Sequence, residues 1–131
     1  MSLTHSGSAL AAATNAVTAL ISTSGNLKFR VGGTLGSPGT VAATCPLSAT
    51  AFASANGTTG IATANAITSD TNATGNASPV STFSLETSGA TIIIYGAVAA
   101  SASDINMSGG LTIGAGDTVA VSSLTYQSIT A

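Results

Sequence analysis

The chain has 131 residues, with two basic and four acidic side chains, one His, one Cys and no Trp. Only 5% of residues are charged, against roughly 25% in an ordinary globular protein. That excludes the basic footprint of a nucleic-acid binder, and no apolar run approaches the ~20 residues that span a bilayer.

The length suits one domain spanning residues 1–131, with a helical N-terminal part (1–25) and a β part (26–131). Hydrophobic residues make up 44% of the chain, but much of that share is Ala. The surface must therefore be built from Ser, Thr, Asn, Gly and Ala. Interface cores are depleted of Lys, Glu and Asp, so such a surface suits burial against a partner. The Ala-rich start, residues 1–21, has no Lys or Arg ahead of its apolar stretch and does not read as a secretion signal.

Residues 6–24 predict the chain's one helix. Leu10, Ala13, Val17, Leu20 and Ile21 fall on one apolar stripe, with Thr14, Asn15 and Thr18 opposite. Ser6 or Ser8 can cap its start and Gly25 ends it. With no charge of its own, the helix needs tertiary or partner contacts. The period then changes to two. Leu27, Phe29 and Val31 alternate with Lys28 and Arg30, which predicts a half-buried strand with both cations on one solvent or interface face. The glycine-rich run 32–39 reads as a loop and 41–47 as a second strand, with Pro46 at an edge or bulge. A turn at 56–60, a weak strand over 60–68 anchored by Ile61 and Ile67, and a loop over 70–79 follow.

The strongest hairpin runs through 80–86, a Ser88-Gly89 turn and 91–99. Phe83 and Leu85 share a face, and Ile92-Ile93-Ile94-Tyr95 predicts a strand covered on both sides. Residues 111–113 and 118–129 complete the β elements, with a bulge near Ser122-Ser123. Short strands between Gly/Asn/Ser turns predict a mainly β chain: one jelly-roll-like β-sandwich with a short N-terminal helix.

The residues for catalysis are scarce. A Ser-His-Asp mechanism needs a base held by a carboxylate, and the single histidine, His5, has Asp70 as its nearest acidic residue in sequence. Asp70, Glu86, Asp104 and Asp117 each lie in or beside a turn, where Asp serves turn chemistry. Zinc requires three or four N/S ligands, and only His5 and Cys45 could supply them. Asp70-Thr71-Asn72-Ala73-Thr74-Gly75 matches the opening half of a calcium loop. Its twelfth position holds Ser81 instead of a bidentate Glu, so an Asx-type turn is the simpler reading. Lone Cys45 can form no intrachain disulfide and reads as a buried small apolar side chain. Asn56, Asn72 and Asn106 fit the glycosylation acceptor pattern as expected from composition. These observations predict no catalytic residue, no cofactor and no metal.

Several segments resemble small virion proteins of tailed bacteriophages. They are the Ala/Leu helix ending in a Gly turn, Leu27-Lys28-Phe29-Arg30-Val31, Leu47-Ser48-Ala49-Thr50-Ala51-Phe52, residues 64–73, and Gly114-Ala115-Gly116-Asp117-Thr118-Val119. The resemblance implies a capsid decoration, or cement, protein on the outside of the head. It would bind the lattice of the major capsid protein and form a homo-oligomer, with a trimer favoured. After Val31 the chain departs from the pattern, carrying Gly32-Gly33-Thr34-Leu35-Gly36 in place of an aromatic and a polar turn. The alternative is a binding module, a receptor-binding tail tip or adhesin; a tail-tube or connector subunit is a third, structural reading. Leu10 and Val17 of the helix, with Lys28 and Arg30, form the expected partner-binding set, the cations meeting acidic residues of the partner.

Overall fold

The computed structural model describes residues 3–128, and the chain is mainly β with one helix. Helix α1 spans Gly7–Ala19, and Ser6 caps it by accepting a hydrogen bond from Ala9 N. Strands β1 (Asn26–Thr34), β2 (Ser37–Pro46), β4 (Thr82–Glu86), β5 (Ile92–Ala99) and β6 (Ile105–Asn106) form a five-stranded sheet. The remaining strands, β3 (Ile61–Thr63) and β7 (Thr125–Gln127), pair with each other. In the larger sheet the order is β2-β1-β4-β5-β6, antiparallel except for the short β5–β6 pairing. These pairings establish a mixed sheet and a small second one, which is coarser than the expected jelly-roll.

Alternation along β1 and β4 sorts the side chains as the sequence suggests. Leu27 and Phe29 point into the core with Phe83 and Leu85, paired Leu27 to Leu85 and Phe29 to Phe83. Loop residues Leu47, Ala51, Phe52, Val80, Ile113 and Val119 complete that core. The hairpin β4–β5 appears where it was expected. Its Ile92–Tyr95 run is nevertheless only half-buried, with Ile93, Ile94 and Tyr95 lining an open groove.

Three expectations change. Residues 32–39 are not a loop. They continue β1 and β2 as a two-stranded ribbon, bent where Gly32 and Gly33 take φ of 62° and 87°. A side chain at Gly39 would collide with Val31 O, so glycine here permits close approach of two strands. The expected strand over 118–129 shrinks to β7 and an isolated bridge between Val119 and Asp70; Ile129 lies outside the described residues. Residues 111–113 form no strand, yet Leu111 O and Ile113 O still accept from Val80 N and Asn76 N.

The helix docks on a face turned slightly from the expected stripe: Ile21 is fully buried and Leu10, Ala13 and Val17 are half-buried, as expected, but Thr14 points inward. Ala11 and Thr14 are its buried residues, while Leu20 is 60% exposed. The Thr14 hydroxyl donates to Gly60 O (2.6 Å) and accepts from Ser128 N (3.0 Å). A threonine with both partners supplied can be buried, so the polar residue sits inward. Gly60 (φ 72°) lies against Leu10, and any Cβ there would overlap the Leu10 side chain.

Candidate functional site

Antiparallel pairing of β1 with β4 places Lys28 opposite Ser84 and Arg30 opposite Thr82, on the sheet face away from Phe29 and Phe83. Two residues along β4 from Ser84, Glu86 takes the same face. Diagonal neighbours across antiparallel strands lie within reach of long side chains. The result is a cluster of three charges, with Glu86 fully buried.

Lys28 Nζ lies 2.9 Å from Glu86 Oε1, and Arg30 Nη2 lies 2.6 Å from Oε2. The Ser84 hydroxyl donates to that same Oε2. Arg30 is used along its whole guanidinium. Its Nε donates to Ser84 Oγ (2.9 Å) and its Nη1 to Gly39 O (2.7 Å). Burial pushes the Glu86 carboxyl up, but hydrogen bonds from Ser84, Arg30 and Lys28, together with the Lys28 charge, outweigh it. They hold the group below its ordinary value of 4.5.

Beside this cluster Tyr95 OH donates to Gly32 O (3.0 Å) and sits 3.0 Å from Thr82 Oγ1, which itself donates to Gly32 O (2.6 Å). The polar face thus ties the ribbon's root to the sheet. Chemically, the cluster holds a carboxylate ionised and fixed. The one hydroxyl beside it, Ser84 Oγ, is fully buried and also accepts from Arg30 Nε.

The other carboxylates are engaged locally. Asp70 Oδ1 accepts from Asn72 N (3.0 Å), forming the Asx-type turn expected, and its Oδ2 accepts from Thr44 N (2.8 Å) on the outer side of β2. Asp104 accepts from Ala97 N and Asp117 from Gly114 N. Among the described residues no group of three or more His, Cys, Asp and Glu could hold a metal ion. Cys45 is buried, with Sγ 3.6 Å from Val119 O. Burial pushes its thiol up, a backbone hydrogen bond involving Asp70 offsets part of that, and the Asp70 charge adds to the rise. His5 is exposed on the segment before the helix.

The four residues expected to meet a partner do not form one patch. Lys28 and Arg30 share a face, as expected, but are paired within the chain, with side chains only 20% and 11% exposed. Half-buried Leu10 packs by Gly60. Val17 lines an apolar groove beside β5. Sequence reasoning missed Glu86 as the partner of the cations. A usable signal was present: Ser84 and Glu86 share the parity opposite to Phe83 and Leu85.

Comparison with known proteins adds no relative: no family model, curated protein or solved structure matches the chain.

Proposed function

We propose that the chain is a non-enzymatic structural subunit of a bacteriophage virion, a decoration protein bound to the outer lattice of the major capsid protein. The sequence resemblance motivates the reading. The observation that carries it is the scarcity of surface charge. Lys28 and Arg30 both pair with Glu86 within the sheet, and Asp70, Asp104 and Asp117 accept from backbone amides. Apart from the exposed Asp104 and Asp117, the surface is mostly small and uncharged, with Leu3, Leu20, Leu35 and Ile61 exposed among it. Such a surface suits many weak contacts repeated by symmetry. We also read the core between the two sheets as a minimal β-sandwich, the rigid body such a subunit needs.

The test uses heads of the phage that encodes the chain, prepared without it. Purified protein added to such heads should sediment with them in many copies and appear in a reconstruction as density over the capsid lattice. Failure to sediment, or density confined to the tail, overturns the proposal.

A further inference from the structure

Of the chain's seven asparagines, Asn56 alone is followed by glycine. The amide nitrogen one residue on can close a succinimide ring on an asparagine side chain, and glycine leaves that nitrogen unshielded by a side chain of its own. Asn56 and Gly57 are both exposed, in the turn 56–60 that leads into β3. Asn56 Oδ1 accepts from Thr58 N (2.8 Å) and Thr59 N (3.0 Å). Gly57 N donates to no group among the described residues, and a Cβ placed on Gly57 would meet nothing within 4 Å. The Asn56 Nδ2 also has no partner among the described residues, whereas that of Asn65 donates to Thr50 O (2.7 Å). The oxygen of this amide is held and its nitrogen is free to leave.

The same turn seats α1. A side chain at Gly7 would collide with Thr58 O, and one at Gly60 with Leu10. The Thr14 hydroxyl donates to Gly60 O, and Ala55 N donates to Asn15 Oδ1 (2.8 Å). Two main-chain bonds close the turn on itself, Gly60 N to Asn56 O (2.7 Å) and Asn56 N to Ile61 O (2.9 Å). The length of main chain between Asn56 and Gly60 therefore fixes where the helix can sit, with no slack at either glycine.

We propose that Asn56 is a self-modification site, and that its conversion to isoaspartate unseats α1. Gly57 N gives up its proton to solvent base and bonds to Asn56 Cγ. The electron pair of the Cγ–Oδ1 double bond moves onto Oδ1, where Thr58 N and Thr59 N already point. Donors preorganised on the atom that gains charge stabilise it as it forms, so these two bonds assist the step. The oxyanion collapses, Nδ2 takes up a proton and leaves as ammonia, and a succinimide remains. Water then adds to one ring carbonyl and the ring C–N bond there breaks. Opening at Cγ leaves aspartate on the ordinary backbone. Opening at the main-chain carbonyl leaves isoaspartate, with the chain routed through Cβ and Cγ. One water enters, one ammonia departs, and nothing is oxidised or reduced. Either product adds a negative charge to a chain of formal net charge −2. Isoaspartate also lengthens the turn, which moves Thr58 O and Gly60 off the helix. The reaction needs no capsid and does not rest on the virion reading.

Folded full-length protein incubated in mildly alkaline buffer provides the test, with mass spectrometry and electron-transfer fragmentation following each asparagine. Asn56 should gain the mass difference between NH2 and OH and give isoaspartate fragments, while the other asparagines stay amides. Its rate should rise with pH, because the attacking nitrogen must lose a proton. Gly57→Ala meets no neighbour, so it should fold as the wild type does and convert roughly ten-fold or more slowly. In the converted fraction, isolated by anion exchange, α1 should lose amide-exchange protection while the β4–β5 hairpin keeps it. Freshly prepared Asn56→Asp carries the charge on an ordinary backbone and should keep α1 protected. An Asn56 that survives prolonged incubation, a Gly57→Ala variant that converts as fast as wild type, or a converted fraction with α1 fully protected overturns the proposal. So does loss of α1 protection in fresh Asn56→Asp, since charge and not backbone length would then unseat the helix.

Discussion

Arg30 divides its guanidinium among three partners on two strands, Ser84 and Glu86 of β4 and Gly39 of β2, and its shortest bond, 2.6 Å, goes to the buried Glu86 carboxylate. The pairing couples the central strands β1 and β4 through side chains as well as through their backbone ladder. It also sets the sign of several measurable effects.

Removing one member of a buried charge cluster leaves the others unpaired, at a cost of about 3–5 kcal/mol. Glu86→Ala should lose stability on that scale, because two cations would then face each other without an anion. Reversing both cations, with Lys28→Glu and Arg30→Glu, should be worse, since three carboxylates would crowd one face. Urea unfolding followed by circular dichroism checks both. Wild-type midpoints would show that the cluster contributes nothing net.

The same carboxyl sets an acid dependence. Glu86 has a folded-state pKa below its ordinary value of 4.5, so its ionised form is favoured by folding. The stability it contributes is fully present above the unfolded-state value and is lost as pH falls through the folded one. Melting temperature should therefore decline as the solution is acidified below about 4.5. Glu86→Gln, although less stable at neutral pH, should show a shallower decline over that window. Parallel wild-type and variant slopes would assign the acid sensitivity to other carboxyls.

Thr14 and Gly60 govern the docking of α1. Thr14→Val removes a hydroxyl that serves two backbone groups and should cost about 1–3 kcal/mol, the penalty for buried groups left unsatisfied. Gly60→Ala should cost more, since its φ of 72° disfavours a side chain and the added Cβ meets Leu10. Amide hydrogen exchange should show α1 losing protection in both variants, ahead of the β4–β5 hairpin. Unchanged helix protection in Gly60→Ala would show that the helix is held elsewhere.

What could be read from the chain alone was local. Phe83 and Leu85 alternate ahead of a Ser88-Gly89 turn, so the hairpin was legible, and so was the shared face of Lys28 and Arg30. The identity of their partner was not. Nothing in the order of residues places β4 beside β1, and that adjacency alone turns Glu86 from a residue at a strand end into the anion of the cluster. One helix position was misjudged for a similar reason. Thr14 belongs on a wet face until Gly60 O and Ser128 N, both distant in sequence, satisfy its hydroxyl. Glycines at 32, 33 and 39 read as a loop because composition cannot separate a flexible segment from a ribbon that needs close strand approach. Once the cations proved to be internally paired, the expected partner surface lost its charge. Only Val17, of the four residues, lines the groove beside β5.

The Thr14–Ser128 bond closes a span of 114 residues, and β7 is the sole strand partner of β3 among the described residues. On the ribosome the helix emerges well before the residues that complete its buried face. Until then the nascent polypeptide carries an Ala-rich segment with nothing to shield it and no charge to keep it soluble. Such a long-range closure makes folding slow relative to a chain built from local contacts. Docking of the helix therefore waits until β7 has been made, and truncation within β7 should release a polypeptide whose helix never finds its seat.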